Sequence, residues 1–126
     1  MKNLVVSFLI FLILIITITF SINFLVNKAN FYSGKADQLE SLVTQDSWDE
    51  AYEISTDFLT TWEEDSKKIS VFINHFQVDA ISNQILKLTQ YTKYHDKSEA
   101  LALIHDIKFL LKELIEIEKV TISNIF

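Results

Sequence analysis

Two residues have the types and spacing for chemistry. His75 and Asp79 stand four positions apart, with Asn83 one further turn on. On a helix this spacing puts them on one face. An imidazole beside a carboxylate can bind a divalent cation, or the carboxylate can orient the imidazole as a general base. Two ligands do not complete a metal site, and the chain has no His-x₃-His or Glu-x₂-His pair to add more. The plain reading is a histidine at a bundle edge, hydrogen-bonded to Asp79 and fixing helix register. His95, in a link, and His105, beside Asp106, read as surface residues. The expectation is a chain with no catalytic residue, and with His75 and Asp79 as its only metal candidates.

Composition closes off most other reactions. The chain has no Cys, so it can form no disulfide, thiolate metal site, lipobox acylation or cysteine nucleophile. It has one Gly and no Pro, which leaves no means of building a Gly-rich phosphate loop. No Walker loop, dinucleotide turn, nucleophile elbow or zinc-protease helix occurs. No cofactor is implied. The net charge is −6, and all ten charged residues from Asp37 to Asp65 are acidic. That anionic stretch disfavours nucleic acid, which needs a cationic footprint. It reads as a solvated helix face or as a surface for a basic partner. Trp48, Tyr52, Phe58, Trp62, Phe72 and Phe76 read mainly as core. Trp48 and Trp62 are also the aromatic candidates for a partner contact.

Helices must position these residues. Trp48, Ala51, Tyr52, Ser55, Phe58, Leu59 and Trp62 fall on one helical face behind Ser47-Trp48-Asp49-Glu50, a capping-box pattern. A following stripe holds Ile69, Phe72, Ile73, Phe76 and Ala80 and drifts onto Ile81, Ile85, Leu88 and Tyr91. A break or bend is expected between Glu64 and Ser70, where Asp65-Ser66 could cap a new helix. Asp96-Lys97-Ser98-Glu99 is a second capping box. It opens a helix with Ala100, Leu103, Ile104, Ile107, Leu110, Leu111, Leu114 and Ile115 inside and a Lys112–Glu116 pair outside. This helix should end near Lys119–Val120. The tail beyond it, apolar at Ile122, Ile125 and Phe126, either packs over the end of the bundle or docks on a partner. No strand is signalled convincingly.

Ahead of all this, Leu4 to Val26 runs without a charged side chain. A helix of that length is roughly 34 Å long and crosses a ~30 Å hydrocarbon core. Ser7, Thr17, Thr19 and Ser21 can back-bond to the preceding turn at little cost in lipid. Thr17 and Ser21 also have the small-xxx-small spacing that supports helix association, so oligomerisation is open to the chain. The run exceeds a signal-peptide core, and neither Ala29 (with Asn27) nor Gly34 (with Tyr32) makes a good cleavage site, so an uncleaved anchor is predicted. Lys2 stands against Lys28 and Lys35, which discriminates orientation little. The default is the N-terminus inside and the bulk outside. Phe31, Leu39, Leu42 and Val43 continue the helical pattern past the anchor, with Gly34 a soft spot.

The order of these pieces resembles a known family. An anchor leads to an acidic helix with spaced Trp48 and Trp62, then to Phe72-Ile73-Asn74-His75-Phe76-Gln77-Val78-Asp79. Ala100-Leu101-Ala102-Leu103-Ile104, Lys108-Phe109-Leu110-Leu111, Glu116-Ile117-Glu118-Lys119 and Asn124-Ile125-Phe126 follow. Over nearly the whole chain this is similar to the domain-of-unknown-function family 4363, small single-anchor bacterial proteins. The resemblance implies no assigned activity. It implies an accessory-subunit role beside small multi-spanning membrane proteins, and a His and an acid at the places of His75 and Asp79. Gln77 stands where a second acid would strengthen a metal site.

The expected fold is all-α: an N-terminal transmembrane helix (residues 1–28) and a small antiparallel three- to four-helix bundle (29–126) outside the cytoplasm. The expected function is a non-catalytic, single-pass membrane accessory subunit. It would meet the bilayer through its N-terminal helix and an envelope membrane protein through Trp48, Trp62, Ile122, Ile125 and Phe126. A small ligand- or cation-sensing bundle built on His75 and Asp79 is the alternative.

Overall fold

The computed structural model describes the backbone of residues 1–125 and the side chains of residues 1–116 and Lys119. The described chain is four helices: α1 (Lys2–Thr44), α2 (Trp48–Ile69), α3 (His75–Lys93) and α4 (Lys97–Ile125). α1 packs on α2 and α4, and α3 packs on the same two, so the four close an up-down-up-down ring. The all-α fold with a long apolar N-terminal helix is as expected, and the number of helices resolves to four.

The core has a simple arithmetic. Its positions on α1 are Leu25, Ala29, Tyr32, Ala36, Leu39 and Val43. On α2 they are Ala51, Ser55, Phe58, Trp62, Asp65 and Ile69. Both sets step four, three, four, three, four. Ile81, Ile85, Leu88 and Thr92 continue the alternation on α3, and Ala100, Ile104, Ile107, Leu111 and Leu114 do so on α4. A mean step of 3.5 residues keeps one seam facing inward and gives coiled-coil-like packing. Small seam residues such as Ala29, Ala36, Ala51 and Ala100 leave room for Tyr32, Phe58 and Trp62.

α1 is one helix of 43 residues, roughly 64 Å long. Up to Phe20 it is exposed apart from half-buried Ile15 and Ile18. Its most apolar 18-residue window has mean hydropathy 2.9 and no buried residue, so α1 is long and apolar enough to cross a membrane. The back-bonds expected there form: Thr17 Oγ1 donates to the Ile13 carbonyl at 2.8 Å, Thr19 to Ile15 at 2.9 Å and Ser21 to Thr17 at 2.9 Å. The first buried residue is Leu25, ahead of residue 28. Gly34 faces outward within this helix, and a Cβ built there meets nothing within 4 Å. Gly34→Ala should therefore stabilise the bundle by about 1 kcal/mol through helix propensity alone. Thermal unfolding of the two proteins in the same detergent checks this; an unchanged or lower midpoint would contradict it.

The two turns far from the apolar projection share one geometry. Asp46 and His95 take positive φ (58° and 61°) just after α1 and α3. Ser47 N donates to the Leu42 carbonyl and Asp96 N to the Tyr91 carbonyl, both at 2.9 Å. These are Schellman-type closures, with Asp and His in the position glycine usually takes. The capping boxes are realised unequally. Ser47 is the N-cap of α2 but makes no side-chain cap bond. Asp96 Oδ1 accepts from Glu99 N at 3.3 Å at the start of α4.

Two expectations are corrected. The chain turns not between Glu64 and Ser70 but just after, over Ser70–Asn74, because Asn74 is the residue free to cap: its Oδ1 accepts from Phe76 N at 3.0 Å. The new helix resets the phase, so Phe76 leaves the core and is 83% exposed. α4 also does not stop near Val120 but runs to Ile125.

Candidate functional site

Among the described residues Asp65 is the one carboxylate in the core. It occupies a seam position of α2, where an apolar residue is the ordinary choice. Tyr32, fully buried on α1, donates its hydroxyl to Asp65 Oδ2 at 2.5 Å. Lys28, one turn earlier on α1, donates Nζ to the same oxygen at 3.0 Å. Lys28 Nζ also lies 6.0 Å from the centroid of the Phe24 ring. Aromatic rings wall the site: Tyr32 meets Phe58 and Trp62 edge-on, at 5.3 and 5.1 Å between centroids. Trp62 Nε1 donates to Ser82 Oγ on α3 at 2.9 Å, which carries the polar chain to a third helix.

The electrostatics fix the protonation states. Burial alone would raise the Asp65 carboxyl pKa, but the hydrogen bonds from Tyr32 and Lys28 and the Lys28 charge outweigh it and hold it below the usual carboxylate range. Burial pushes the Tyr32 phenol well above its ordinary value, and the bond to Asp65 and that carboxylate's charge push it further. Tyr32 thus stays a neutral donor and Asp65 an anion. Neither is poised to exchange a proton near neutral pH. The cluster acts as a lock that sets α2 against α1. Such a pair adds little net stability, since desolvation offsets its attraction, but a buried polar contact discriminates against slipped registers.

The lock has a pH signature. The folded pKa of Asp65 lies below the unfolded value of ~3.9. Its stabilising contribution is therefore complete above ~pH 4 and is lost as pH falls through the folded pKa. Thermal unfolding of the full chain in detergent, followed from pH 7 downward, should steepen its decline below ~pH 4. The decline should be shallower in Asp65→Asn; equal slopes would contradict this assignment.

A second ionic group joins α1 to α4. Lys108 Nζ lies 2.6 Å from Asp37 Oδ1 and also contacts Glu40. Burial lowers the Lys108 pKa less than the two carboxylates raise it, so the ammonium is held charged. His105 Nε2 is 3.4 Å from Glu40 Oε1. Lys35 pairs with Asp57 across α1 and α2 at 2.9 Å. At the far end Lys97 Nζ donates to the Thr44 carbonyl at 3.1 Å and to Asp46 at 3.3 Å.

The structure treats the residues singled out by sequence differently. His75 opens α3 and Asp79 lies one turn further on, and both are exposed. No hydrogen bond joins them, so the expected register-fixing contact is not made. Among the described residues no group of three or more His, Asp or Glu side chains gathers as a metal site. Trp62 is a core residue without exposed surface, which removes it from any partner contact in this fold. Trp48 is half-buried and stacks on His95, with centroids 5.1 Å apart and planes within 7°. The side chains of Ile122 and Ile125, and Phe126 as a whole, lie outside the described residues. The Lys112–Glu116 pair forms at 3.9 Å on the surface. Sequence reasoning missed Lys28, Tyr32 and Asp65. The available signal was spacing: Asp65 sits three residues after Trp62 and four before Ile69.

The model of a family described as a domain of unknown function, DUF4363, matches residues 19–125. No curated protein and no solved structure matches.

Proposed function

The chain belongs to the DUF4363 family, and we propose that it is a single-pass membrane protein whose bundle stands on the bilayer as a non-catalytic interaction subunit for another envelope membrane protein. The observation that carries this reading is the continuity of α1. One uninterrupted helix passes from an exposed, uncharged stretch into the seam of the bundle. The bundle is thereby held upright against the membrane rather than tethered by a loose linker.

The shape of the bundle favours binding over chemistry. Tyr32, Asp65 and Lys108, the groups among the described residues whose ionisation the fold displaces most clearly, are all committed to contacts between helices. The outer face of α2 presents Glu50, Glu53 and Glu64 along one stripe. Among the described residues these three have no ion-pair partner. An anionic stripe of this kind steers a basic partner surface and fixes its register. The sensing alternative loses its pair, since His75 and Asp79 do not meet. In this reading the N-terminus is cytoplasmic and the bundle extracytoplasmic.

A photoreactive residue at Glu53, activated in intact cells, tests the proposal. It should give a discrete adduct with a membrane protein, and the adduct should disappear in Glu50→Lys/Glu64→Lys. A probe at Asn83, exposed on α3, should not give that adduct. Crosslinks to lipid or to the chain itself alone would overturn the interaction role.

A further inference from the structure

We propose that the α2–α3 turn is a second membrane contact, seated in the headgroup–acyl boundary of the bilayer that α1 crosses. The inference rests on the anchor reading above and adds a site that no part of that reading requires.

Depth is the first argument. From Leu4 to Phe24, α1 is roughly 31 Å long, which matches a ~30 Å hydrocarbon core. Phe24 therefore lies at its edge. The Phe72 ring in the turn packs against Phe24, with centroids 5.6 Å apart. The turn is thus at the level where the uncharged run of α1 ends.

Exposure is the second. Phe76 and Val71 are 83% and 77% exposed, the highest values of any large apolar side chain among the described residues apart from Met1. Their neighbours are well held. Ile69 and Ile73 are in the core. Phe72 N donates to the Ile69 carbonyl at 2.9 Å and Ile73 N to the same oxygen at 3.2 Å. The turn is a fixed support that presents two apolar side chains outward. Phe76 is the second residue of α3, which leads away from this end of the bundle. Helical side chains tilt toward the helix N-terminus, so Phe76 leans toward the membrane plane.

Charge is the third. Lys67 and Lys68 are exposed on the last turn of α2, near this end. Lysines so placed can reach lipid phosphates while their stems lie on apolar surface. The nearby acids are Asp65, bound to Lys28 and Tyr32, Glu63 and Glu64 at the next turn of α2, and Asp79 on α3. The bilayer is the occupant that the continuity with the α1 span selects. An apolar tip with a lysine collar is the usual chemistry of interfacial insertion.

The chain has no cysteine, so single cysteines report position directly. The full chain is reconstituted in phosphatidylcholine–phosphatidylglycerol vesicles, with an environment-sensitive dye on Val71→Cys, Phe76→Cys, Ile13→Cys or Tyr94→Cys. Lipids spin-labelled near the headgroup or deep in the chain serve as quenchers. The dye at 71 and 76 should lose fluorescence to the shallow quencher, and at 13 to the deep one. Tyr94, 72% exposed at the far end of α3, should report neither. If position 13 is quenched and positions 71 and 76 behave like 94, the second contact is wrong and the anchor stands. If position 13 is not quenched, the anchor reading itself fails, and this inference with it. All four substituted side chains are exposed, and circular dichroism confirms that the bundle is intact.

Discussion

Trp62→Ala should lower the unfolding free energy of the bundle by about 3–5 kcal/mol, the largest loss expected from truncating any single side chain here. The indole has no exposed surface, meets Tyr32 edge-on and bonds Ser82, so its removal opens a void where three helices converge. Small domains hold only about 5–15 kcal/mol in total. The variant should therefore be partly unfolded at moderate temperature. Trp62→Phe keeps most of the volume but drops the bond to Ser82, and should cost roughly 1–2 kcal/mol. Urea unfolding in mild detergent, read by circular dichroism, checks both. A change in Trp62→Ala no larger than that of an exposed substitution such as Tyr94→Ala would contradict the core assignment.

Asp65→Leu should be the second most damaging change, at about 3 kcal/mol, because it leaves the Tyr32 hydroxyl and the Lys28 ammonium without their shared acceptor. The more telling result is the rescue. Lys28→Met, Tyr32→Phe and Asp65→Leu together should return stability to within about 1 kcal/mol of the parent, since no polar group of the cluster then remains unpaired. If the cluster serves register, this rescued protein should still unfold reversibly but with lower cooperativity or a mixed association state. Denaturant unfolding with a fitted m-value, and light scattering, read those outcomes. A triple variant as unstable as Asp65→Leu would mean that the cluster adds net stability beyond its pairing.

These two sites also show what the sequence could and could not reveal. The seam of α4 was legible because its residues are strongly apolar and the opposite face is charged. So was the α2 run from Ala51 to Trp62. The α1 seam was legible only at its end, where Leu39 and Val43 are buried as expected. Ahead of them it uses Ala29, Tyr32 and Ala36, while the more apolar Phe31 and Leu42 lie beside it. A pattern read by hydropathy alone misses the small and polar seam residues. Asp65 reads as a helix cap on type alone. Its burial becomes visible only when the four-three alternation is counted from Trp62 and a partner is sought on another helix. The same counting places the break correctly. With Asp65 engaged by Tyr32 and Lys28, and the Ser66 and Ser70 hydroxyls donating to the Glu63 and Lys67 carbonyls, the cap falls to Asn74. His75 and Asp79 were conspicuous for the opposite reason. Their spacing suggests chemistry, but the turn that begins α3 leaves both facing solvent.

The seam and the apolar run meet inside one helix, and this junction gives the protein its character. The charges that follow Phe24, namely Lys28, Asp65 and Lys35 with Asp57, are paired across α1 and α2. The junction therefore stays helical where a linker would be flexible. In the proposed role, a rigid foot would fix the height of each surface above the membrane, which suits a subunit that meets a neighbour in the same bilayer.

Cysteine labelling in intact cells tests the membrane-standing bundle most directly. Tyr94→Cys should react with a membrane-impermeant maleimide before the cells are opened, Asn3→Cys only afterwards, and the protein should stay with the membrane pellet through alkaline carbonate extraction. Release of the chain by carbonate, or a Tyr94→Cys that stays unlabelled until lysis, would contradict it.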